Sequence, residues 1–298
     1  GDQDHTTTET ETEQAGKILG DKDQITSASI GVSSDFELAK EESWGFFDDI
    51  PTEHWLQKKA ITKGRKHNGS NNPYGRMRTP AAWYQTNWDP DFTCILEDSV
   101  GGNHDGHKWV CDPHRLKKLD DCLIYSFGSN RNFVFEKKLL EIAPNCEVHI
   151  FDPTDYSGQM KASGTNATYH ALGIKPSYES NEEDTRTKLG DRFAEKLNDL
   201  NFKTLEDIMA ELGHTGRRVD VFKIDCEGCE WKTYKDFLKP DLRQILIEVH
   251  DFCHATNDFF QDLHDAGYTI FHKEPNIQWS NGNCVEFSFV KLAPEYFQ

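Results

Sequence analysis

Residues 122–130, CLIYSFGSN, decide the fold of this chain, because an apolar strand there runs directly into a turn of small residues. The strand covers residues 122–127, and the turn consists of Gly128, Ser129 and Asn130. A buried strand that leads through such a turn into a helical pattern is the first half of a βαβ unit. The stretch therefore predicts an α/β fold with a parallel sheet.

The same alternation of strands and amphipathic helices continues to the C-terminus. We predict strands at 122–127, 146–151, 166–172, 219–224, 244–249, 268–272 and 285–291, and helices at 132–142, 205–212 and 255–266. The last two strands are too close in sequence for a helical crossover, so they should pair antiparallel. The pattern predicts a mostly parallel, seven-stranded sheet with an antiparallel last strand and helices on both faces.

Charge is distributed unevenly along the chain. Its 298 residues carry 33 basic and 51 acidic side chains, and residues 1–50 hold 13 of the acids and 3 of the bases. A segment this polar, without a hydrophobic period, cannot offset the entropy lost on ordering. We predict a disordered acidic tail over residues 1–43, an irregular N-terminal cap rich in Trp, Pro and Asn over 44–112, and the sheet domain over 113–298.

The overall charge also limits the partners. With a net charge of -18, the average surface repels a nucleic-acid backbone, so we expect no nucleic-acid partner. No stretch approaches the about 20 consecutive apolar residues that a membrane-spanning helix needs, so we expect no membrane contact from these residues. The chain begins at Gly1, and a signal peptide or anchor would lie upstream of it.

The residues after the first two strands indicate a nucleoside ligand. In an open α/β sheet, ligands bind beyond the carboxyl ends of the strands. Asp152 follows the second strand, 24 positions after Gly128, close to the offset of about 20 residues at which an acidic group reaches ribose hydroxyls. The further glycines that a pyrophosphate needs are absent. S-Adenosylmethionine, which has a ribose and no phosphates, fits both features; the alternative is an ordinary turn capped by Asp152.

Four ordered segments resemble the methyltransferase-like 24 type family, which is related to the FkbM O-methyltransferases. These segments are DGHKWVCD at 105–112, IYSFGSN at 124–130 with Phe135-Glu136, VHIFDPT at 148–154, and FKIDCEGCEW at 222–231. The resemblance covers about residue 94 to the C-terminus. It implies a Rossmann-like class I methyltransferase fold that uses S-adenosylmethionine. It also implies that the cofactor is held by Ser126, Gly128, Ser129, Asn130 and Asp152.

Trp109, within the first of these segments, is a further candidate for contact with the cofactor, because an aromatic face attracts a sulfonium. Trp231 could act in the same way, but it follows Glu230 into a helix and is better explained by core packing.

Cysteines and glycosylation sequons indicate the compartment. Eight cysteines, with sequons at Asn68 and Asn166, are compatible with the secretory pathway, so we expect a location in its lumen, such as the Golgi, or outside the cell. A bridge between Cys94 and Cys111 is one pairing that the sequence permits. For the Cys226-x-x-Cys229 motif, we prefer a packing role over zinc binding or redox chemistry.

Catalytic candidates follow the fourth and fifth strands. Methyl transfer to a hydroxyl requires an aligned acceptor and a base that removes its proton. Asp225 and Glu227 follow one strand, and Glu248 and His250 share a face of the next. We favour His250 as the base because its ordinary pKa of about 6.5 suits the task. Asp225 or Glu227 is the alternative base, and a purely structural ion-pair network remains open.

A divalent cation held by Asp225, Glu248 and His250 is a less favoured alternative, and we expect no metal. The loop between the last two strands mixes aromatic and amide side chains, as a sugar site would, although turn geometry also explains its asparagines. These loop residues are His272, Asn276, Trp279, Asn281 and Asn283.

Together these features predict an O-methyltransferase that uses S-adenosylmethionine and acts on a hydroxyl of a glycan or small metabolite. One alternative is N-methylation of a protein or amine, although the Asn/Asp-Pro-Pro-Tyr run often found with that chemistry is absent. The other is a non-catalytic binding module that kept the fold.

Overall fold

The computed structural model describes residues 36–65, 67, 79–102, 106–178 and 201–298. Most of the predicted acidic tail, up to residue 35, therefore lies outside the described residues. Its predicted end at residue 43 is too late, because helix α1 (Glu37–Glu42) buries Ala39 and Glu42. The Glu42 Oε2 atom accepts a hydrogen bond from Trp55 Nε1 at 2.6 Å, a contact between distant residues that composition does not reveal.

The segment predicted as an irregular cap contains regular elements. They are α2 (Thr52–Gly64), α3 (Pro80–Tyr84), and the antiparallel hairpin of β1 (Glu97–Val100) and β2 (Lys108–Cys111). Trp55 and Phe92 of this segment pack against Tyr296 near the C-terminus, and Phe47 packs against both of them. The cap is therefore packed against the rest of the described chain.

The central sheet has the predicted seven strands. In chain order they are β3 (Leu123–Phe127), β4 (Glu147–Asp152), β5 (Thr168–Ala171), β8 (Val219–Ile224), β9 (Leu242–His250), β10 (Tyr268–Pro275) and β11 (Cys284–Lys291). A short separate pair consists of β6 (Gly173–Ile174) and β7 (Phe202–Lys203). The spatial order is β10-β11-β9-β8-β3-β4-β5, and β11 is antiparallel to both of its neighbours. The predicted Rossmann-like topology is confirmed.

Helices cover both faces of this sheet. Those after the hairpin are α4 (Val134–Ile142), α5 (Ser157–Ser163), α6 (Leu205–Glu211), α7 (Glu230–Phe237), α8 (Thr256–Asp265) and α9 (Ile277–Ser280). The sheet has a buried hydrophobic cluster on each face. Successive side chains of β3 point to opposite faces, since Tyr125 belongs to one cluster and Ile124 to the other. No helix among the described residues has the length and apolar content needed to cross a bilayer.

Three disulfides link six of the eight described cysteines, and Cys253 and Cys284 are free and buried. Cys94–Cys111 is the pairing considered from the sequence, Cys122–Cys146 joins the starts of β3 and β4, and Cys226–Cys229 closes the loop after β8. Cys226 and Cys229 pack against one of the buried clusters, as preferred, but the disulfide between them was not predicted. A tight turn between β8 and α7 brings the two sulfurs together, and this turn is not apparent from the spacing alone.

Candidate functional site

A cavity of about 570 Å³ opens at the carboxyl ends of β3, β4 and β8. The order of the strands reverses beside β3, where sheet topology predicts a ligand crevice. The turn after β3, Asp152 after β4, and Asp225 and Glu227 after β8 all line the cavity. Most of the predicted site residues thus lie around one space.

Gly128 is required where β3 meets the end of β8. Its φ is +78°, and a Cβ atom would lie 1.8 Å from the carbonyl oxygen of Asp225. Backbone hydrogen bonds fix the short distance between the two segments. Gly128 N donates to Phe151 O at 2.8 Å, and Asp225 N donates to Phe127 O at 3.1 Å. No larger residue fits without moving the two strands apart. Asn130, also at positive φ, continues the turn along the cavity.

The Asp152 carboxylate faces this turn and not the solvent. Its Oδ2 atom accepts hydrogen bonds from the backbone N–H groups of Ser129 and Asn130, both at 3.0 Å. Its Oδ1 atom accepts from Thr154 N at 3.0 Å. An ionised carboxylate offers about four acceptor positions, so Oδ1 keeps capacity for a ligand hydroxyl. Asp152 therefore shapes the turn and also borders the cavity.

Ser126 lies beneath the turn and does not line the cavity, so the expectation that it contacts the ligand is wrong. Its hydroxyl is buried and donates to Glu136 Oε1 at 2.5 Å. Glu136 lies on α4, lines the cavity, and is 1% exposed. Its Oε2 atom has no hydrogen-bond partner among the described residues. The signal for Glu136 in the sequence was a carboxylate next to Phe135, on the buried face of an amphipathic helix.

Trp109 is also outside the cavity, and its predicted contact with the cofactor is wrong. Its ring stacks on His272 with centroids 4.0 Å apart, and its Nε1 atom donates to Glu274 Oε2 at 2.6 Å. Neighbouring residues of a strand point to opposite faces, so Lys108 takes the position beside the site. The Lys108 Nζ atom lies 3.1 Å from Asp225 Oδ2 and 2.6 Å from Glu286 Oε1.

His250 is enclosed by carboxylates. Its Nδ1 atom lies 3.1 Å from Glu230 Oε1, and its Nε2 atom lies 3.5 Å from Glu227 Oε2 and 3.6 Å from Asp225 Oδ1. Burial opposes its protonation, but Glu230, Asp225 and Glu248 together raise the pKa of His250 well above its ordinary range. A histidine with a raised pKa is a poor proton acceptor, so these surroundings disfavour His250 as the base. They suit a positive charge that orders the carboxylates.

Asp225 and Glu227 differ in basicity. Burial favours the neutral form of Asp225, yet Lys108, Lys223 and His250 outweigh it and lower the pKa of Asp225. Burial raises the pKa of Glu227 above its ordinary value, and His250 only partly offsets that effect. Glu227 also lines the cavity with a side chain that is 44% exposed, and its φ is +59°. Of the three candidates, Glu227 is the best placed to accept a proton.

The ion-pair network extends beyond the predicted residues. Glu286 on β11 is buried, and burial raises its pKa to about 8 although Lys108 lies beside it. Asn276 Nδ2 donates to Glu248 Oε1 at 2.9 Å, which connects the network to the loop after β10. The sequence left open a purely structural ion-pair role for Asp225, Glu227, Glu248 and His250. That role therefore holds for some of these four residues. Asp225 and His250 with Glu227 also form a group that could hold a metal ion.

The loop residues considered for sugar binding do not form one site. Asn276 caps α9 by accepting a hydrogen bond from Trp279 N at 3.1 Å, and Asn281 ends that helix at φ +55°. His272 faces the hairpin, where its Nδ1 atom lies 3.0 Å from Glu97 Oε2. Turn geometry thus accounts for these two asparagines, and Trp279 is 65% exposed.

Comparison with known proteins gives a family match. A family model described as a methyltransferase domain matches residues 37–291. The probable methyltransferase-like protein 24 of Homo sapiens is 32% identical over 143 residues, which cover 46% of this chain and 34% of that protein. The rat (Rattus norvegicus) protein of the same name is 27% identical over 169 residues, covering 55% of this chain and 39% of that protein. The chain thus spans well under half the length of these relatives.

Solved structures with similarity to the chain include two from microbes. The Methanococcus jannaschii fibrillarin pre-rRNA processing protein has a TM-score of 0.34 and 11% identity, with coverage of 68% of this chain and 88% of that one. The TrmK protein of M. capricolum, in complex with S-adenosyl-homocysteine, has a TM-score of 0.31 and 11% identity, with coverage of 60% and 67%.

Proposed function

The chain belongs to the methyltransferase-domain family, with the methyltransferase-like 24 proteins among its relatives, and on that premise we propose that it transfers a methyl group from S-adenosylmethionine to a hydroxyl group. The acceptor that we propose is a small molecule or a glycan. The net charge of -18 argues against a nucleic-acid acceptor.

The unpartnered Glu136 Oε2 atom carries this proposal. A buried carboxylate oxygen without a hydrogen bond is costly, and a ligand that donates to it removes the cost. S-Adenosylmethionine has an ammonium group, ribose hydroxyls and no phosphate. These groups fit the donor and acceptor set of Glu136, Asp152 and the Gly128 turn. When bound, this cofactor supplies an electrophilic methyl group on its sulfonium.

The chain's own residues prepare the acceptor side. Glu227 accepts the hydroxyl proton, because it is partly exposed in the cavity and its pKa is raised. His250, 3.5 Å away, supplies the positive charge that orients Glu227. Lys223 fixes the turn by donating to the carbonyl oxygen of Gly128. The excess of carboxylates around the cavity favours a cationic ligand over an anionic one.

Calorimetric titration with S-adenosylmethionine tests the proposal. We expect saturable binding that Glu136→Gln weakens by about 10-fold or more, since a hydrogen bond to a charged group is worth about 1.5–3 kcal/mol. Gln keeps the shape of the side chain, so the cavity should stay open. Glu141→Gln, on the exposed side of the same helix, is the matched control and should bind as the wild type does. Absence of binding to the wild type would end the proposal.

Label transfer to hydroxyl and amine acceptors separates the competing functions. The acidic cavity also favours an amine acceptor, which needs no base if it arrives neutral. Transfer to a hydroxyl should depend on Glu227, whereas transfer to a neutral amine should not. Cofactor binding without transfer to either class would identify a non-catalytic module.

We also propose that the protein works in an oxidising compartment such as the lumen of the secretory pathway. Three disulfides among the described cysteines support this, because such bonds are rare where thiols are kept reduced. The sequon residue Asn166 is exposed, as glycosylation requires, and Asn68 lies outside the described residues.

The Cys226–Cys229 disulfide gives a prediction about redox state. It closes the loop that carries Glu227, and both cysteines line the cavity. We expect the double variant Cys226→Ser/Cys229→Ser to lower turnover by about 10- to 100-fold, since small displacements of a reacting group have effects of that size. The midpoint of thermal unfolding should change little. Wild-type turnover in the double variant would show that the disulfide does not position Glu227.

A further inference from the structure

A second cluster of potential ligands lies away from the cavity, at the start of β4. It consists of Glu147 and His149 on β4 and His214 in the turn between α6 and β8. Donor atoms of these three residues all lie within 4.8 Å of one another. None of the three lines the cavity described above.

The geometry of this cluster resembles three of the four positions of a tetrahedral shell. Glu147 Oε1 lies 2.9 Å from His149 Nε2 and 3.4 Å from His214 Nε2. Ligand atoms bound about 2.0–2.1 Å from one tetrahedral zinc ion are separated by about 3.3 Å. The separations of Glu147 Oε1 from the two imidazole nitrogens are therefore already near the spacing that a single ion requires.

The second nitrogen of each imidazole and the second oxygen of the carboxylate are also held in place by hydrogen bonds. His149 Nδ1 lies 2.9 Å from His170 Nε2, and His214 Nδ1 lies 2.7 Å from the Tyr125 hydroxyl. Glu147 Oε2 accepts from Arg217 Nη1 at 2.7 Å, which leaves Oε1 facing the imidazoles. Metal-binding histidines characteristically use their second nitrogen in such a bond, which fixes the ring and its tautomer.

Burial and access also suit an ion. His149 is 5% exposed and His214 is 4% exposed, whereas the Glu147 side chain is 46% exposed. The imidazoles are thus protected from water, and the carboxylate leaves one side open for an ion and a solvent ligand. Two imidazoles and one carboxylate select zinc or a similar divalent transition metal over calcium and magnesium, which prefer oxygen ligands.

We propose that Glu147 Oε1, His149 Nε2 and His214 Nε2 bind one zinc-like ion, with solvent in the fourth position. The ion would connect β4 to the turn that precedes β8. Its role is structural, because the bound ion would resist separation of these two segments. The site is independent of methyl transfer.

Zinc titration of the full chain, after chelator treatment and dialysis, tests this site. We expect one equivalent of Zn²⁺ to bind and to raise the midpoint of thermal unfolding, while Mg²⁺ and Ca²⁺ do neither. His214→Gln should weaken zinc binding by about 10-fold or more and remove the thermal shift. His254→Gln is the matched control at an exposed histidine and should behave as the wild type does. Methyl transfer should be unchanged in His214→Gln.

Two further variants make the outcome of the zinc titration decisive. If His214→Gln does not fold, Glu147→Gln changes a partly exposed side chain and should give the same loss of zinc binding. Asp225→Asn distinguishes this site from the cavity network, where other carboxylates lie near His250. Absence of zinc binding, equal affinity in His214→Gln and the wild type, or loss of binding in Asp225→Asn alone would overturn the proposal.

Discussion

Replacement of Glu227 by Gln is expected to lower the rate of methyl transfer to a hydroxyl by about 100- to 10,000-fold, the range contributed by a positioned general base. The amide keeps nearly the same shape but cannot accept the proton. Affinity for S-adenosylmethionine should change little, because the groups that fit the cofactor lie on β3, β4 and α4. Turnover and cofactor binding should be measured on the same preparation, with Glu141→Gln as the control.

The pH dependence of the wild type adds a second test of Glu227. The carboxylate must be ionised to act as a base, and burial raises its pKa above the ordinary value. Turnover should therefore rise with pH through that elevated pKa, and this acidic limb should disappear in Glu227→Gln. A variant with wild-type turnover would assign proton removal to another group.

Replacement of Lys108 by Met is expected to lower the free energy of unfolding by about 3–5 kcal/mol, the usual cost of removing one partner from a buried ion pair. Lys108 is 1% exposed and contacts both Asp225 and Glu286. Without the ammonium group, the Asp225 carboxylate loses one of the cations that lower its pKa, and Glu286, whose pKa burial already raises, loses its hydrogen-bond partner. Urea unfolding at neutral pH measures the loss.

A surface ion pair provides the matched control for Lys108→Met. Lys138 lies 2.7 Å from Glu141, but both side chains are more than half exposed, so Lys138→Met should cost at most about 1 kcal/mol. Adding Glu286→Gln to Lys108→Met should change the stability little further, because burial raises the pKa of Glu286 and its carboxyl group is neutral once the ammonium group is gone. Equal losses in Lys108→Met and Lys138→Met would contradict the buried role.

Much of the architecture is readable from hydrophobic pattern alone. Strand β8 has the predicted bounds, and β3 and β4 begin one residue after theirs. Parallel strands covered on both faces are continuous apolar runs, which makes them easy to recognise. The hairpin of β1 and β2 was missed because its short strands carry polar and charged residues, and its pairing depends on contacts with β9 and β11.

Side-chain roles were less predictable than positions. Gly128 and Asp152 lie at the cavity as expected, but the orientation of Ser126 depends on Glu136, in the first turn of the next helix. The surroundings of His250 were equally hard to foresee. Its ordinary pKa suggested a base, but Glu230 on α7 and Asp225 after β8 approach it from separate elements and change its charge. Such shifts depend on three-dimensional proximity.

The position of Lys108 on the hairpin has a consequence for any attempt to use the sheet domain by itself. The ammonium group that contacts both Asp225 and Glu286 comes from a residue that precedes the predicted sheet domain. A fragment starting at residue 113 would retain every strand of the central sheet and lose the cation at its centre. We therefore expect such a fragment to be unsuitable as a transplantable module, and a chimaera built from this chain should carry the hairpin with it.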